Sequence, residues 1–571
     1  MFRLSLIALF VFTTTLFAQD VEHYFKFSIL QKSELGVLTR IISIDEVKGT
    51  TVFAYANANE WEALLHLGYR PHELQHPGSE YRHEMFDSPG DVLEWDRYPT
   101  YQGYLAMMRQ FAATYPNICK LDTFGYSVQG RQLLALKISD HVNAGEDEPE
   151  FLYTSSMHGD ELVGYVLMLR LADYLLTQYG QQTPEGLRAT SLVDNMEIWI
   201  NPLANPDGAY RLGGDTTVSN ARRYNANGYD LNRNFPDRID DTVNTTAGRQ
   251  TETRMFMEFT KKHNFILSAN FHGGAQVVNY PWDNGTPSGT YSRCPDDLWF
   301  VNLSRKYSNP NPDMMNGGFT NGITNGCEWY AIYGGRQDWI YWWHGGRETT
   351  IELWDTKNPP GSVLPQRWTN NKESLLAYIE EALKGIRGVV RDSATRAPLR
   401  ARVDVIDVAN VPVFSDSTIG DYHRLLLPGT YSIIARAAGY VPDTARNVVV
   451  TNAPATRIDF ALREDRPTST QETRNVASTF CLEQNYPNPF NPTTTIKFQI
   501  PDGSGHRPNT NHVTLKVFDM LGREVATLVN EVKQPGTYTT QWDASRISGG
   551  VYFYRLHAGS FSQTRKLVIV K

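Results

Sequence analysis

Read from its N-terminus, the chain changes hydrophobic period several times, and each change marks an element or a domain. Residues 1–19 (MFRLSLIALFVFTTTLFAQ) place Arg3 before an apolar run that stops at small residues near Ala18. A run of about fifteen residues is too short to span a bilayer and predicts a secretory signal peptide. Over residues 20–90 alternating runs (FKFSIL, GTTVFAYA) precede a helical stretch, NEWEALLHLGY, and predict a small α/β segment ending in polar sequence. From 95 to 385 the pattern alternates between buried strands and amphipathic helices. Helices are expected at 101–115, with Tyr104, Met107, Met108 and Phe111 on one side, and at 161–179, 250–263 and 370–384; strands are expected at 149–155, 196–200, 265–271 and 349–354. That alternation implies a mainly parallel or mixed sheet covered on both faces, with ligands beyond the carboxyl ends of its strands.

The helical period vanishes after Leu383. Residues 386–463 show short alternating runs (ARVDVIDV, GTYSIIARAAGY, NVVVT), which predict a small antiparallel sandwich. Residues 464–479 are polar and read as a linker, and 480–571 return to β alternation (TTIKFQI, VTLKVFD, GVYFYRL) in a second all-β domain. A chain of 571 residues needs several such cores. The net charge of -8 and the lack of a basic stripe with interleaved aromatics argue against nucleic acid, and no later run reads as a transmembrane segment. The four cysteines (Cys119, Cys294, Cys327, Cys481) fit no zinc-finger spacing; Cys294 and Cys327 lie in one loop-rich region, where a disulfide is open.

Four segments carry the chemistry: MHGDE (157–161), DLNRNF (230–235), ANFHGG (269–274) and TIELW (350–354). His158 and Glu161 stand three residues apart, and His272 directly follows a predicted strand. Two imidazoles and a carboxylate make a three-ligand set with the fourth position left to water, the pattern of catalytic rather than structural zinc. Glu352 is placed to act as base. An exopeptidase must also recognise a free carboxylate, for which Arg233 offers a planar cation; a surface pairing of Arg233 with Asp230 or Asp237 is the simpler reading of that residue alone.

These stretches, with NPLANPDGAYR, RRYNANGYDLNRNFPD, TNGCEWYAIYGGRQDW and TIELWDTKNPP, resemble the zinc carboxypeptidase family of the A/B type, and most nearly its N/E/D branch. The resemblance implies an α/β fold with a mixed eight-stranded-type sheet and helices on both faces, one Zn2+ held by His158, Glu161 and His272, and Glu352 as general base. It implies that Arg223, next to Arg222 in the chain, stabilises the oxyanion. Asn232 and Arg233 would hold the substrate's terminal carboxylate, Tyr330 would close over the bound residue, and Asp283 and Gln337 would set a preference for C-terminal Arg or Lys. The partner would be a peptide or protein substrate with a free C-terminus. GIRGVVRDSATRAPLRARVDV resembles the transthyretin-like domain that follows the catalytic domain in the same branch. LEQNYPNPFNPTTTIKFQIP, SGGVYFYRL and RKLVIVK resemble the sorting domain of type IX secretion cargo, which implies the type IX machinery as partner and a secreted or outer-surface location reached through the periplasm of a Gram-negative bacterium. That branch usually lacks a pro-segment, so residues 20–90 are either an inhibitory pro-segment or a plain N-terminal domain. Rival functions are a peptidase or amidase acting on cell-wall peptides and a non-catalytic surface protein; a full set of ligands, base and Arg223 argues against the second.

Overall fold

Strands buried on both faces read as continuous apolar runs, and FILSANFH (Phe265–His272) and EIWIN (Glu197–Asn201) are buried at every position. They lie in the middle of an eight-stranded sheet in the computed structural model, which describes all residues except 1–20, 92–93, 213, 466–479, 502–510, 534–535, 560 and 571. The predicted signal peptide and nearly all of the predicted linker fall outside the described residues. The strand order is Ile323–Asn325, Val277–Tyr280, Arg347–Glu352, Phe265–His272, Glu150–Ser155, Glu197–Asn201, Gln132–Ile138, Cys119–Tyr126. The four strands from Arg347–Glu352 to Glu197–Asn201 run parallel, and antiparallel pairs flank them. The sheet is therefore mixed, as expected. Helices Tyr101–Thr114, Val163–Gln178 and Leu364–Glu380 pack apolar stripes into one core, and helix Thr251–Thr260 contributes Phe256, Met257 and Phe259 to another. The closing helix starts six residues before its expected position, where Pro365 suits the first turn of a helix.

The chain divides into two compact units, residues 1–465 and 466–571. Within the first, Glu22–Ser28, Ser43–Lys48, Thr51–Asn57 and His72–Glu73 form an antiparallel sheet, with helix Ala58–His66 opened by an Asn57/Glu60 capping box. Its apolar core (Phe25, Phe27, Leu35, Leu38, Ile44, Val52) is completed by Tyr330 and Ile332 of the α/β body. Residues 386–462 form two small sheets around Val390, Val403, Ile433 and Phe460. The second unit packs two antiparallel sheets around Ile496, Phe498, Leu515, Tyr554 and Leu567, with inward and outward side chains alternating as the pleat requires. All four cysteines are free, so the open Cys294–Cys327 pairing is not made; Cys294 and Cys327 are both buried, and burial raises both thiols above their ordinary range. Among the described residues no helix is long and apolar enough to cross a membrane.

Candidate metal centre and active site

Strand ends assemble the site. His272 closes Phe265–His272 and Glu352 closes Arg347–Glu352, and the two residues are direct partners across the parallel ladder. Beside them Glu150–Ser155 ends at Ser156, whose positive φ of 57° turns the chain into the loop that carries His158 and Glu161. Gly159 is required there: a Cβ would lie 2.3 Å from the backbone carbon of Gly208 and 2.5 Å from the carbonyl oxygen of Arg222.

The loop brings His158 Nδ1 to 3.0 Å from Glu161 Oε2, His272 Nδ1 to 2.8 Å from the same oxygen, and the two Nδ1 atoms to 3.0 Å from each other. All three residues are buried. The outward nitrogens are held from behind: His158 Nε2 faces Asp230 Oδ1 at 3.0 Å, and His272 Nε2 faces Asn270 Oδ1. Donation from Nε2 would leave both Nδ1 lone pairs pointing at a carboxylate oxygen, a repulsion that a cation between them, or a proton on an imidazole, relieves. Ligand atoms around a tetrahedral zinc with bonds of 2.0–2.2 Å stand roughly 3.3 Å apart, so the donor set fits that ion. Supporting carboxylates and amides of this kind are what orient metal-ligating histidines. Burial pushes the His272 imidazole down to about 4, which keeps it in the neutral form a ligand needs. Burial also opposes charge on Asp230, but Arg223 and His158 outweigh it and hold that carboxyl well below its usual range.

Behind the candidate ligands runs a buried polar chain through Asn270, Glu348 and Arg336, none of which the sequence singles out. Asn270 Nδ2 donates to Glu348 Oε1 at 3.1 Å, Arg336 Nε donates to the same oxygen at 2.9 Å, and Arg336 N donates to Asn232 Oδ1 at 3.0 Å. The candidate ligand His272 and the predicted carboxylate clamp are therefore joined by one buried hydrogen-bonded chain. Glu352 Oε2 is buried with no hydrogen-bond partner among the described residues, and burial followed by the nearby Glu161 raises this carboxyl well above its ordinary range. The neighbouring arginines part company. Arg223 turns inward, donating to Glu161 Oε1 at 3.0 Å and to Asp230 Oδ2 at 3.1 Å, whereas Arg222 bonds Ser79, Asn220 and Ala221 outside the cleft.

Asn232 and Arg233 lie on a 3-10 turn, Leu231–Arg233, capped by the Asp230 carboxylate. Arg233 lines the cleft, its Nε without a partner among the described residues, and its nearest carboxylate, Asp230, is 3.9 Å away, too far for a hydrogen bond. Asp283 also lines the cleft and is 1% exposed. Its Oδ1 accepts from Asn279 Nδ2 (2.9 Å) and Gln337 Nε2 (3.1 Å), and burial raises the carboxyl to about 7. Gln337, expected to touch substrate, is buried outside the lining of the cleft: it lies behind Asp283, with its Nε2 donating to Asp283 Oδ1 and its Oε1 accepting from Thr350 N at 2.7 Å.

The cleft is not open. The strand Ser43–Lys48 has a bulge between Ile44 and Glu46, and the extra residue, Asp45, is the one aimed into the site. Its carboxylate pairs with Lys357 Nζ and lies 3.7 Å from Arg223 Nη1; its carbonyl accepts from Tyr330 OH at 3.2 Å, and the Ile44 carbonyl lies 3.5 Å from Arg233 Nη2. Tyr330 is thus placed over the cleft, but bound to this strand. About 20 Å³ of open space remains, room for a single water. Neither Asp45 nor Lys357 is singled out by the sequence; the one available signal is the pair of adjacent acidic residues, Asp45 and Glu46, at which ISIDEV loses its alternation.

Three segments of the chain match known families. Residues 104–374 match the zinc carboxypeptidase family, 385–463 the carboxypeptidase regulatory-like domain and 484–570 the secretion system C-terminal sorting domain. The chain is 41% identical to carboxypeptidase D of Homo sapiens over 380 residues, which are 64% of this chain but only 27% of that protein, so it spans about a quarter of that relative's length. It is 39% identical to carboxypeptidase M of Mus musculus (60% of this chain, 79% of the relative) and 38% identical to the carboxypeptidase N catalytic chain of Rattus norvegicus (61% and 82%).

Proposed function

The chain belongs to the zinc carboxypeptidase family, and from that premise we propose that it is a secreted exopeptidase that removes single C-terminal residues, with a preference for Arg or Lys, and is latent while its N-terminal segment covers the cleft. The observation that carries the reading is the convergence of His158 Nδ1, His272 Nδ1 and Glu161 Oε2 within 3.0 Å of one another at the mouth of a cleft that also holds Arg233 and Asp283.

These three residues would hold zinc, which when bound polarises the scissile carbonyl and makes water acidic enough to attack near neutral pH. The protein's own part follows from the geometry. Arg233 and Asn232 anchor the terminal carboxylate, a planar anion suited to a guanidinium. Glu352 removes a proton from the attacking water and delivers it to the leaving amine. Arg223 stabilises the oxyanion from the edge of the ligand set; the Asp45 carboxylate beside it now takes the place of such an anion. Asp283 supports basic specificity because a buried carboxylate is stabilised by an incoming cation. The sorting-domain match supports export and passage across an outer membrane by the type IX route.

The test is hydrolysis of blocked dipeptides ending in Arg, Lys, Phe or Glu, with and without a zinc chelator. Chelator-sensitive release of Arg and Lys ahead of Phe and Glu is expected. Glu352→Gln should bind zinc and lose about 10²–10⁴ in turnover; a fully active variant would remove the proposed base.

A further inference from the structure

The two candidate imidazole ligands are held from behind by groups of different kinds. His158 Nε2 faces a carboxylate oxygen, Asp230 Oδ1 at 3.0 Å, which only accepts, so the proton of that hydrogen bond sits on Nε2. His272 Nε2 faces Asn270 Oδ1, one end of an amide. A side-chain amide presents either an oxygen or, rotated about its last bond, an NH2 group in nearly the same place. With the oxygen toward the ring, Nε2 carries the proton and the Nδ1 lone pair is left for a cation. With the NH2 toward the ring, Nε2 must accept, and the proton of a neutral imidazole moves to Nδ1. The state of His272 therefore depends on which end of Asn270 it meets.

That end is set from the neighbouring strand. Ser268, Asn270 and His272 alternate along Phe265–His272 and so share one face, in register with Glu348, Thr350 and Glu352 of Arg347–Glu352. Glu348 is fully buried, and every group hydrogen-bonded to its carboxylate is a donor. Asn270 Nδ2 at 3.1 Å and Arg336 Nε at 2.9 Å reach Oε1; Ser268 Oγ at 2.7 Å and Arg336 Nη2 at 3.1 Å reach Oε2. The guanidinium of Arg336, as deeply buried as its partner, has no acceptor to offer, and the carboxylate it grips in both prongs has no donor. Only the NH2 end of Asn270 can therefore face Glu348, and Thr350 Oγ1 stands on the same side at 3.1 Å. We propose that Glu348, held by Arg336, is a positioning residue that acts through Asn270 on His272: it keeps the amide oxygen toward Nε2 and thereby keeps the Nδ1 lone pair turned into the site. Hydrogen-bond polarity runs one way along the chain, from donor-only Arg336 through acceptor-only Glu348 and the two-ended amide to the ring. With a neutral amide at position 348 either orientation of Asn270 is satisfied, and the direction is lost.

This assignment rests on the zinc reading, and the experiment separates the two. Zinc affinity of the full chain is measured by competition with a chromophoric chelator for the wild type, Glu348→Gln, Asn270→Ala and the double variant. Glu348→Gln should bind zinc about 10–100-fold more weakly, the usual effect of losing a partner behind a metal ligand. Because Glu348 acts through Asn270, the same substitution made in Asn270→Ala protein should cost less than about twofold further, as residues of one hydrogen-bonded network do not add. A merely structural Glu348 would weaken both backgrounds equally. Unchanged affinity in Glu348→Gln, or a full second loss in the double variant, would overturn the assignment and leave the zinc reading standing; a wild type that takes up no zinc would overturn both. If Glu348→Gln fails to fold by circular dichroism, neutron diffraction from the wild type decides: deuterium on the Asn270 atom facing Glu348 supports the assignment, and deuterium on the atom facing His272 overturns it.

Discussion

Two small β-rich additions pack on the same α/β body, and they hold to it by opposite means. Residues 386–462 are clasped at Asp296, whose carboxylate receives Arg347 Nη2 at 3.0 Å from the body and Arg424 Nη2 at 2.7 Å from the addition, with Tyr341 OH at 2.7 Å. Both guanidinia are buried, and none of these groups belongs to the cleft. Residues 22–91 spend their polar contacts on working parts instead. Glu22 accepts from the backbone nitrogens of Arg223 and Tyr224, Tyr55 OH donates to Asp160 between the metal ligands, and Asp45 meets Lys357. One attachment is a structural joint; the other reaches the groups to which the proposed function assigns metal and substrate. The first should fail as stability, the second as latency.

The largest expected effect is at the joint. Asp296→Asn leaves two buried guanidinia facing a neutral amide, and breaking a buried pair from one side costs about 3–5 kcal/mol. Denaturant titration should show the loss across residues 21–465, while the folded fraction keeps its rate on an Arg-ended dipeptide. A loss below about 1 kcal/mol would erase the contrast. The second effect is at the cleft. Asp45→Ala removes charged hydrogen bonds worth about 1.5–3 kcal/mol, so the open fraction and the measured kcat/KM of the full chain should rise about 10–150-fold with little change in melting. Unchanged activity would mean that the segment is an ordinary domain.

How far these differences were legible follows from how local their causes are. The α/β body could be read because fully buried strands and Leu-rich helices announce their period, and the candidate ligands and base could be located because His158 and Glu161 lie in the loop after one strand while His272 and Glu352 close two others. Their meeting still required the His272–Glu352 register, which is a property of the sheet. Asp45 was not legible, since a bulge exists only when two strands pair and Ile44 and Glu46 take successive partners. The support behind the ligands was half legible. Asp230 opens the DLNRNF motif, but Glu348 and Arg336 look like surface charges in sequence and become a fully buried ion pair only when folded. Gln337 is the reverse case: the sequence marks the position, but not the burial that places it behind Asp283.

The pocket gives a third, smaller effect that isolates the cleft from its cover. Asp283 is raised to about 7 by burial, offset in part by Asn279 and Arg233, so its carboxylate form is lost as pH falls through that value. Preference for Arg over Phe, taken as a ratio of kcat/KM on Asp45→Ala protein, should therefore decline from pH 8 to pH 6, approaching about tenfold per unit below the midpoint. A ratio between substrates cancels any titration of Glu352 common to both. Asp283→Asn should flatten the profile at the low ratio, and a wild-type ratio that does not move with pH would take Asp283 out of specificity.

The smallest effect is the most discriminating for the cover. Arg40 belongs to the same N-terminal segment, stacks 3.7 Å above the Tyr333 ring and pairs with Asp240 at 2.7 Å, but about 40% of its side chain is exposed. Exposed pairs and stacks of this sort contribute about 0.5 kcal/mol each, or about 1 kcal/mol together. If latency came from the total area under the segment, Arg40→Ala and Asp45→Ala would release activity to comparable degrees. If it comes from the bulge, Arg40→Ala should raise kcat/KM by no more than about fivefold, and its effect should shrink in high salt as the exposed pair is screened. The Asp45→Ala gain, made at a buried carboxylate, should persist at the same salt. Two single substitutions within one hairpin's reach thus separate a plug from a lid: equal gains with equal salt dependence would assign the closure to surface contact, and unequal ones to the single residue that the bulge turns inward.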